Sequence, residues 1–491
     1  MSLNIQKLND IVDKDSIIAD AERLDNVYCT PILDGNSITP KAAFLPKDTE
    51  QIKSLLNYFK TVKDINVVVL SSTTSPKFLN DTTSLENTVI IDLHKMKDII
   101  YIDKRNRVCV VEPGVTWAEL IPRLKEQGMR PLAPLLPRPG KSALASALDR
   151  EPHLIPKKQY DISDPLLCME VVFGNGEMFR TGEAAGPQSL ETNRKFGAAL
   201  TNPIGPGQTD IFRIIQGAKG SYGIVSWISM QCDEIPEIRI VNFIESDIIK
   251  PLTEFLYAAL RKRWIDEAFI INDSLFKAIF PAASGAIKKY ILIYAINGYA
   301  DFFPDDKISY QFESCNEILE NIGIEANDSV AGITQKDIEP ILDGNTVEPH
   351  PKFSEKVIAI EVFYNTTLDR LQEHLSSVEE ILKKQGFPLE RTNIYLQPVI
   401  QARSVNVEFS LLADRPDSGN QEFSIEKVKV ICKEIAQNVA SKGGFFSRSY
   451  KLINDIAFSR DDALTDGLKK LKRIFDPDNI LNKGQLIFKE G

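Results

Sequence analysis

Residues 210–228 read DIFRIIQGAKGSYGIVSWI. Apolar Ile211, Phe212, Ile214 and Ile215 lead into three closely spaced glycines, Gly217, Gly220 and Gly223, and Ile224 and Val225 follow. Glycine is used where the backbone must take a positive φ or lie against a surface with no Cβ in between. The stretch therefore predicts a helix end, a tight glycine turn and a strand.

Two further stretches extend this reading. Residues 111–120, VEPGVTWAEL, read as a strand, a Pro-Gly turn and the start of a helix, and residues 475–486, FDPDNILNKGQL, stand near the C-terminus. Together, in this order, the three closely resemble signatures of the vanillyl-alcohol oxidase and p-cresol methylhydroxylase type flavoproteins, the FAD-linked oxidases. The resemblance implies an α+β fold, with a two-lobed FAD-binding domain and an antiparallel-sheet cap that closes over the substrate. It places the FAD-binding domain at 36–235, the cap at 236–450 and a return to the FAD-binding domain at 451–491, while Ile5, Leu8, Ile11 and Val12 fall on one face and predict a helical segment at 1–35.

A chain of 491 residues is too long for one core. Its 68 acidic against 58 basic residues give a formal charge of −10, which repels phosphate backbones and anionic lipid. Nucleic acid and a bilayer are thus excluded as expected partners. The N-terminus lacks the apolar core of a secretory signal, and no apolar run is long enough for a membrane span, so a cytoplasmic location is expected. The six cysteines form no C-x-x-C pair, which argues against zinc, an iron–sulfur cluster and a redox dithiol. Electrons leaving a flavin here would pass to another molecule or subunit.

The strand at 65–70 delivers the chain into residues 71–76, SSTTSP. The resemblance places here a glycine-rich loop that holds the FAD pyrophosphate, yet this loop has no glycine. Hydroxyls can donate to phosphate, while a left-handed conformation at a non-glycine residue costs about 1–2 kcal/mol. A loss of ~3 kcal/mol would move a nanomolar site to roughly 0.1–0.2 µM, so FAD binding is still expected. The cofactor-binding candidates are Ser71, Ser72, Thr73, Thr74, Ser75, Pro76, Pro113, Gly114, Ser142 and Ser146. Gly217, Gly220, Ser221, Gly223, Ile224, Val225 and Asn482 complete them. The nearest histidine in sequence is His94, in a strand-to-turn segment, so FAD is expected without a covalent tether. Trp117 reads as core, Arg138 and Arg150 as surface cations, and His153 as a satisfied loop histidine.

Beyond residues 235–237 short strands alternate with helices, and 325–351 reads as an irregular acidic stretch. Residues 397–409, QPVIQARSVNVEF, place Asn406 and Glu408 on one strand face with Arg403 at its entrance. Residues 443–450, GGFFSRSY, add Arg448 and Tyr450, which the resemblance places in the active-site wall. Some relatives carry a histidine where Asn406 stands, and asparagine is no general base. His374 reads as a solvated helix residue, and no metal is expected.

The sequence thus predicts an FAD-dependent dehydrogenase or oxidase acting on a CH–OH or benzylic carbon of a small anionic or phenolic substrate. Arg403 and Arg448 would orient that substrate, and Glu408 or Tyr450 would take a proton. Electrons would pass to a separate acceptor, such as a protein subunit in a homo- or hetero-oligomer. The alternative is a non-catalytic paralogous subunit that keeps the fold and partners an active flavoprotein.

Overall fold

In the computed structural model the glycine turn forms as the sequence predicts: a helix Ile211–Ile215, Gly217 at φ +82°, Gly220 at φ +69°, and the strand Gly223–Glu234. The structure describes residues 3–28, 39–73, 87–186, 188–205, 210–300, 303–346, 350–352, 357–416, 419, 421–450 and 452–488. A Cβ on Gly223 would lie 2.7 Å from Val171 Cγ2, so the strand's first residue is held against its neighbour. Strand Gly223–Glu234 pairs antiparallel with Leu166–Phe173 on one side and Val108–Val111 on the other, at the centre of a six-stranded sheet. The hairpin Leu166–Phe173 to Met178–Arg180 turns at Asn175-Gly176, where Gly176 takes φ +84°.

A four-stranded sheet precedes it, in the order Ile17–Ile18, Ala42–Phe44, Thr88–Asp92 and Asn66–Leu70, its last three strands parallel. The helix Thr49–Phe59 packs on it, its N-terminus capped by the Asp48 carboxylate, which accepts from the Gln51 N–H at 2.8 Å. The predicted N-terminal helices are Ile5–Leu8 and Ala21–Tyr28, with the short strand between them added to this sheet.

The third sheet is antiparallel, in the order Ile238–Ser246, Tyr290–Gly298, Glu267–Asn272, Thr392–Val399, Ser404–Asp414 and Val357–Thr366. Helices Lys250–Arg261, Pro304–Ile322, Leu371–Lys384 and Ile425–Ser441 cover one face in a single apolar core. Two expectations change here. The stretch 325–351 is partly regular: strands Ser329–Val330 and Ile333–Thr334 pair, and helix Gln335–Leu342 starts at a Thr334–Asp337 capping box. His374 is fully buried, because positions 371, 374, 375, 378, 381 and 382 share the inward face of its helix, and its Nδ1 lies 3.1 Å from the Tyr364 hydroxyl.

The C-terminal segment returns to the first two sheets. Lys472 is buried, pairs with Asp476 at 2.5 Å, and donates to the backbone carbonyls of Ser221 at 2.6 Å and Leu481 at 2.9 Å. Leu481 bridges in parallel to Val67, and Asn482 donates to the Lys219 carbonyl at 2.5 Å. The 475–486 motif thus clamps the glycine turn, a contact between residues more than 200 apart in sequence.

The third sheet is joined to the second by buried charge. Arg130, on strand Met129–Pro131, hydrogen bonds to Glu267 on the third sheet and to Asp233 at 3.2 Å. Lys157 pairs with Asp266 at 2.9 Å, and Lys158 with Asp233 at 3.3 Å.

Candidate active site

Across the strands Thr392–Val399, Ser404–Asp414 and Val357–Thr366 the face of the third sheet opposite those helices is largely polar, and strand register decides what stands on it. Glu408 lies directly across from Tyr395 on one side and Phe363 on the other. The adjacent rows hold Asn393, Ser410 and Glu361, then Gln397, Asn406 and Asn365. Residues two apart on a strand share a face, so all nine side chains form one surface. This face closes a cavity of about 450 Å³ whose far wall comes from the first two sheets.

The far wall is largely apolar. Val68, Leu70, Leu93, Pro113, Ile224 and Val225 line it, with Gly220 and Gly223 leaving room where a side chain would intrude. Ser71, Ser72, Lys219 and Asn482 add polar groups. The glycine-free loop is cross-braced: Thr73 N–H donates to the Gly140 carbonyl at 2.8 Å, and Ser142 N–H donates to Ser72 Oγ at 3.1 Å. Hydrogen bonds between two loops therefore hold this backbone without a glycine. Thr74, Ser75 and Pro76 lie outside the described residues.

Other cofactor candidates stand behind this wall. Ser142 donates to the Pro113 carbonyl at 2.5 Å, and Ser146 accepts from the Trp117 indole at 3.0 Å, so both hydroxyls have partners inside the protein. Trp117 is core. Gly114 allows close packing, since a Cβ there would sit 2.5 Å from the His94 carbonyl oxygen. Gly217 lies against the Arg150 guanidinium. Ser221 is buried, and its hydroxyl has no partner among the described residues. Arg138 lines the cavity and so is no surface cation. Arg150 is also engaged, donating to the Gln216 carbonyl at 2.8 Å and the Ser447 carbonyl at 3.2 Å. His153 is fully buried, with Nδ1 accepting from the Ile155 N–H and Nε2 unpartnered among the described residues. Burial pushes its pKa down to about 3.

At the third-sheet end, Lys352 donates to Glu361 at 2.6 Å and to Glu408. Burial opposes its charge, but the two carboxylates hold the Lys352 ammonium well above its ordinary range. The acids then diverge. Burial raises both; Lys352 outweighs it at Glu361, which is lowered, whereas Glu408 stays above the usual carboxylate range. His350, beside this group, is pushed down to about 4 by burial and by the Lys352 charge. Across the cavity Lys141 pairs with Glu151, and Lys219 with Asp149 at 2.8 Å.

Arg448 stands between these groups. Its guanidinium lies over the Phe363 ring at 4.0 Å, and Nε and Nη2 have no hydrogen-bond partner among the described residues. It is 7% exposed. Of the sequence-predicted catalytic residues, Glu408 and Arg448 meet at the cavity. Asn406 is buried in the next row, donating to Asn365 at 2.9 Å. Tyr450 supports Phe363 from outside the lining, with ring centroids 5.1 Å apart, and its hydroxyl donates a hydrogen bond to the Glu361 backbone carbonyl. Arg403 is exposed and away from the cavity.

Sequence reasoning missed Lys352, Glu361, Tyr395 and Lys141. Glu361 left a signal, a lone charge inside the apolar strand VIAIEVFYN. Lys352 left none, because its lone charge on a loop says nothing of Glu408, 56 residues away.

Residues 40–182 match the family model described as FAD binding domain. The chain is 27% identical over 192 residues to the 4-cresol dehydrogenase [hydroxylating] flavoprotein subunit of Pseudomonas putida, covering 38% of this chain and 35% of that protein. It is 23% identical over 221 residues to the mitochondrial D-lactate dehydrogenase [cytochrome] of Arabidopsis thaliana, covering 45% of this chain and 35% of that protein. The matches to these two relatives thus span about a third of each relative's length. Its fold superposes on p-cresol methylhydroxylase with substrate bound at a TM-score of 0.78 and 17% identity, over 99% of this chain and 96% of that one. Residues 40–182 thus form an FAD binding domain within a fold like that of p-cresol methylhydroxylase, with FAD as the cofactor. The donor set fits that group: an apolar slot beside Gly220 and Gly223 for a flat ring, and the Ser71 hydroxyl, Lys219 and Asn482 for its polar chain. No helix among the described residues is long and apolar enough to cross a membrane.

Proposed function

We propose that the protein is an FAD-dependent dehydrogenase or oxidase that oxidises a CH–OH or benzylic carbon of a small anionic substrate at the boundary of the second and third sheets. The observation that carries this reading is Arg448, a buried guanidinium on the cavity wall whose Nε and Nη2 have no hydrogen-bond partner among the described residues. A buried donor without a partner is costly, and a substrate anion meets that need. Charge-assisted bonds from a planar fork also orient what they hold.

For an alcohol substrate the chain's own groups supply the rest. Arg448 orients the anion, Phe363 and Tyr395 border the reacting carbon, and Glu408, kept above the ordinary carboxylate range, accepts the hydroxyl proton. The substrate C–H bond breaks with its electron pair as the carbonyl forms. FAD, when bound, supplies the acceptor for that hydride. The electrons pass on to a separate acceptor, a reading supported by two relatives whose names include a cytochrome and a flavoprotein subunit.

The test is the visible spectrum of the purified protein, before and after acid precipitation, followed by anaerobic bleaching with hydroxy acids and phenols. Released flavin together with bleaching by an anionic substrate supports the reading. Arg448→Met should then lower kcat/KM by about 100-fold, from the loss of roughly 3 kcal/mol in charged hydrogen bonds. A colourless protein that takes up no added FAD overturns it and favours the non-catalytic subunit.

A further inference from the structure

We infer that the cavity takes a polyhydroxylated monocarboxylate, a chain of hydroxyl-bearing carbons ending in a carboxylate, in preference to a phenol or a short hydroxy acid. This rests on the proposed oxidation and names its substrate class.

Hydrogen-bond accounting carries the argument. Of the nine third-sheet-side residues lining the cavity, His350, Lys352, Glu361, Tyr395, Glu408 and Arg448 bear polar groups. Lys352 has three N–H donors and uses two, on Glu361 and Glu408. Oε1 of both glutamates is engaged by Lys352 and Ser410, while Oε2 of each has no partner among the described residues. Arg448 keeps open donors beside them. Open donors and open acceptors therefore stand together on one wall. A hydroxyl both donates and accepts, so a run of hydroxyls satisfies such a wall where a hydrocarbon leaves it desolvated.

Charge decides which end carries the carboxylate. Lys352 faces two carboxylates, and Lys141 and Lys219 are each paired to an acid. Arg448 is the cation of this group with no ion-pair partner among the described residues, so the anion goes there and the hydroxyl tail extends over Lys352, Glu361 and Glu408. A phenol is poorly served. The Phe363 ring face is already covered by the Arg448 guanidinium at 4.0 Å, and ring stacking there would displace it.

The experiment compares four ligands on the FAD-loaded protein by titration calorimetry, thermal shift and anaerobic flavin bleaching. Gluconate carries both features, sorbitol lacks the carboxylate, lactate lacks the hydroxyl tail, and p-cresol lacks both. Gluconate is expected to bind at least tenfold more tightly than each of the other three. Glu361→Gln should weaken gluconate about tenfold and leave lactate within twofold, whereas Arg448→Met should erase the difference between gluconate and sorbitol. Tighter binding of p-cresol, equal binding of lactate or sorbitol, or no binding by any of the four overturns the inference. Bleaching by p-cresol alone would sink the substrate class and leave the flavin oxidation intact, while absence of bound flavin would sink the oxidation itself.

Discussion

Replacing Arg130 by methionine should cost about 3 kcal/mol, and the structure shows why the figure sits at the low end for such changes. Arg130 is 1% exposed and its partners Glu267 and Asp233 are 0% and 1% exposed, so all three charges are held away from water. At 3.2 Å and an effective dielectric near 20, the Arg130–Asp233 attraction is about 5 kcal/mol before desolvation is counted. Removing one partner of a buried pair usually costs about 3–5 kcal/mol, because the other charge is stranded. Here neither carboxylate is stranded completely. Lys158 remains 3.3 Å from Asp233, Arg239 remains 3.8 Å from Glu267, and Asn297 donates to Glu267 at 2.7 Å. At roughly 2 °C per kcal/mol for a large domain, Tm should fall by about 6 °C. The deficit should be largest near pH 7–8 and shrink toward pH 5, because the abandoned carboxylates relieve the cost by taking protons. Adding Glu267→Gln should recover at least half of the loss. The measurement is scanning calorimetry across that pH range, with limited proteolysis to report loosening between the second and third sheets. An Arg130→Met protein within 1 °C of the parent, or a double variant carrying the full sum of two losses, would refute the reasoning.

Other outcomes follow from the same structure. His153, held neutral with a pKa of about 3 against an ordinary 6.5, costs stability as pH falls below 6.5, because the unfolded chain then binds a proton the folded one refuses. At pH 5 this amounts to about 2 kcal/mol, and His153→Asn, which keeps an acceptor for the Ile155 N–H, should flatten the fall in Tm between pH 7 and 5. Gly220→Ala should cost about 1–2 kcal/mol for the positive φ alone, and its Cβ would press on Asn482 Nδ2 at 2.7 Å, so urea denaturation should show a lower midpoint and dialysis a faster loss of FAD. Glu408→Gln should lower kcat by about 100- to 10,000-fold. The parent's rate should rise with pH through a value above the ordinary carboxylate range, and that limb should vanish in the variant.

Much of the fold was legible because its signals are local. A glycine turn between a helix and a strand depends on φ and ψ within a few residues. His374 was misread for the complementary reason: its helix pattern did not say which neighbouring helix would cover it. Residues 325–351 hid a helix because a high acidic content was read as irregularity, although Thr334 and Asp337 carried a capping signal.

The amino-acid sequence by itself determined the flavoprotein fold, the glycine turn and two of the side chains at the cavity, Glu408 and Arg448. Tertiary structure alone decided what those two face. Strand register set Phe363 and Tyr395 on either side of Glu408, chain return brought Lys352 onto both Glu361 and Glu408, and loop pairing replaced the missing phosphate-loop glycines with bonds from Thr73 and Ser142. Periodicity reports which face of an element is buried, whereas a charge cluster is built from residues far apart in sequence that meet only when sheets and loops have docked.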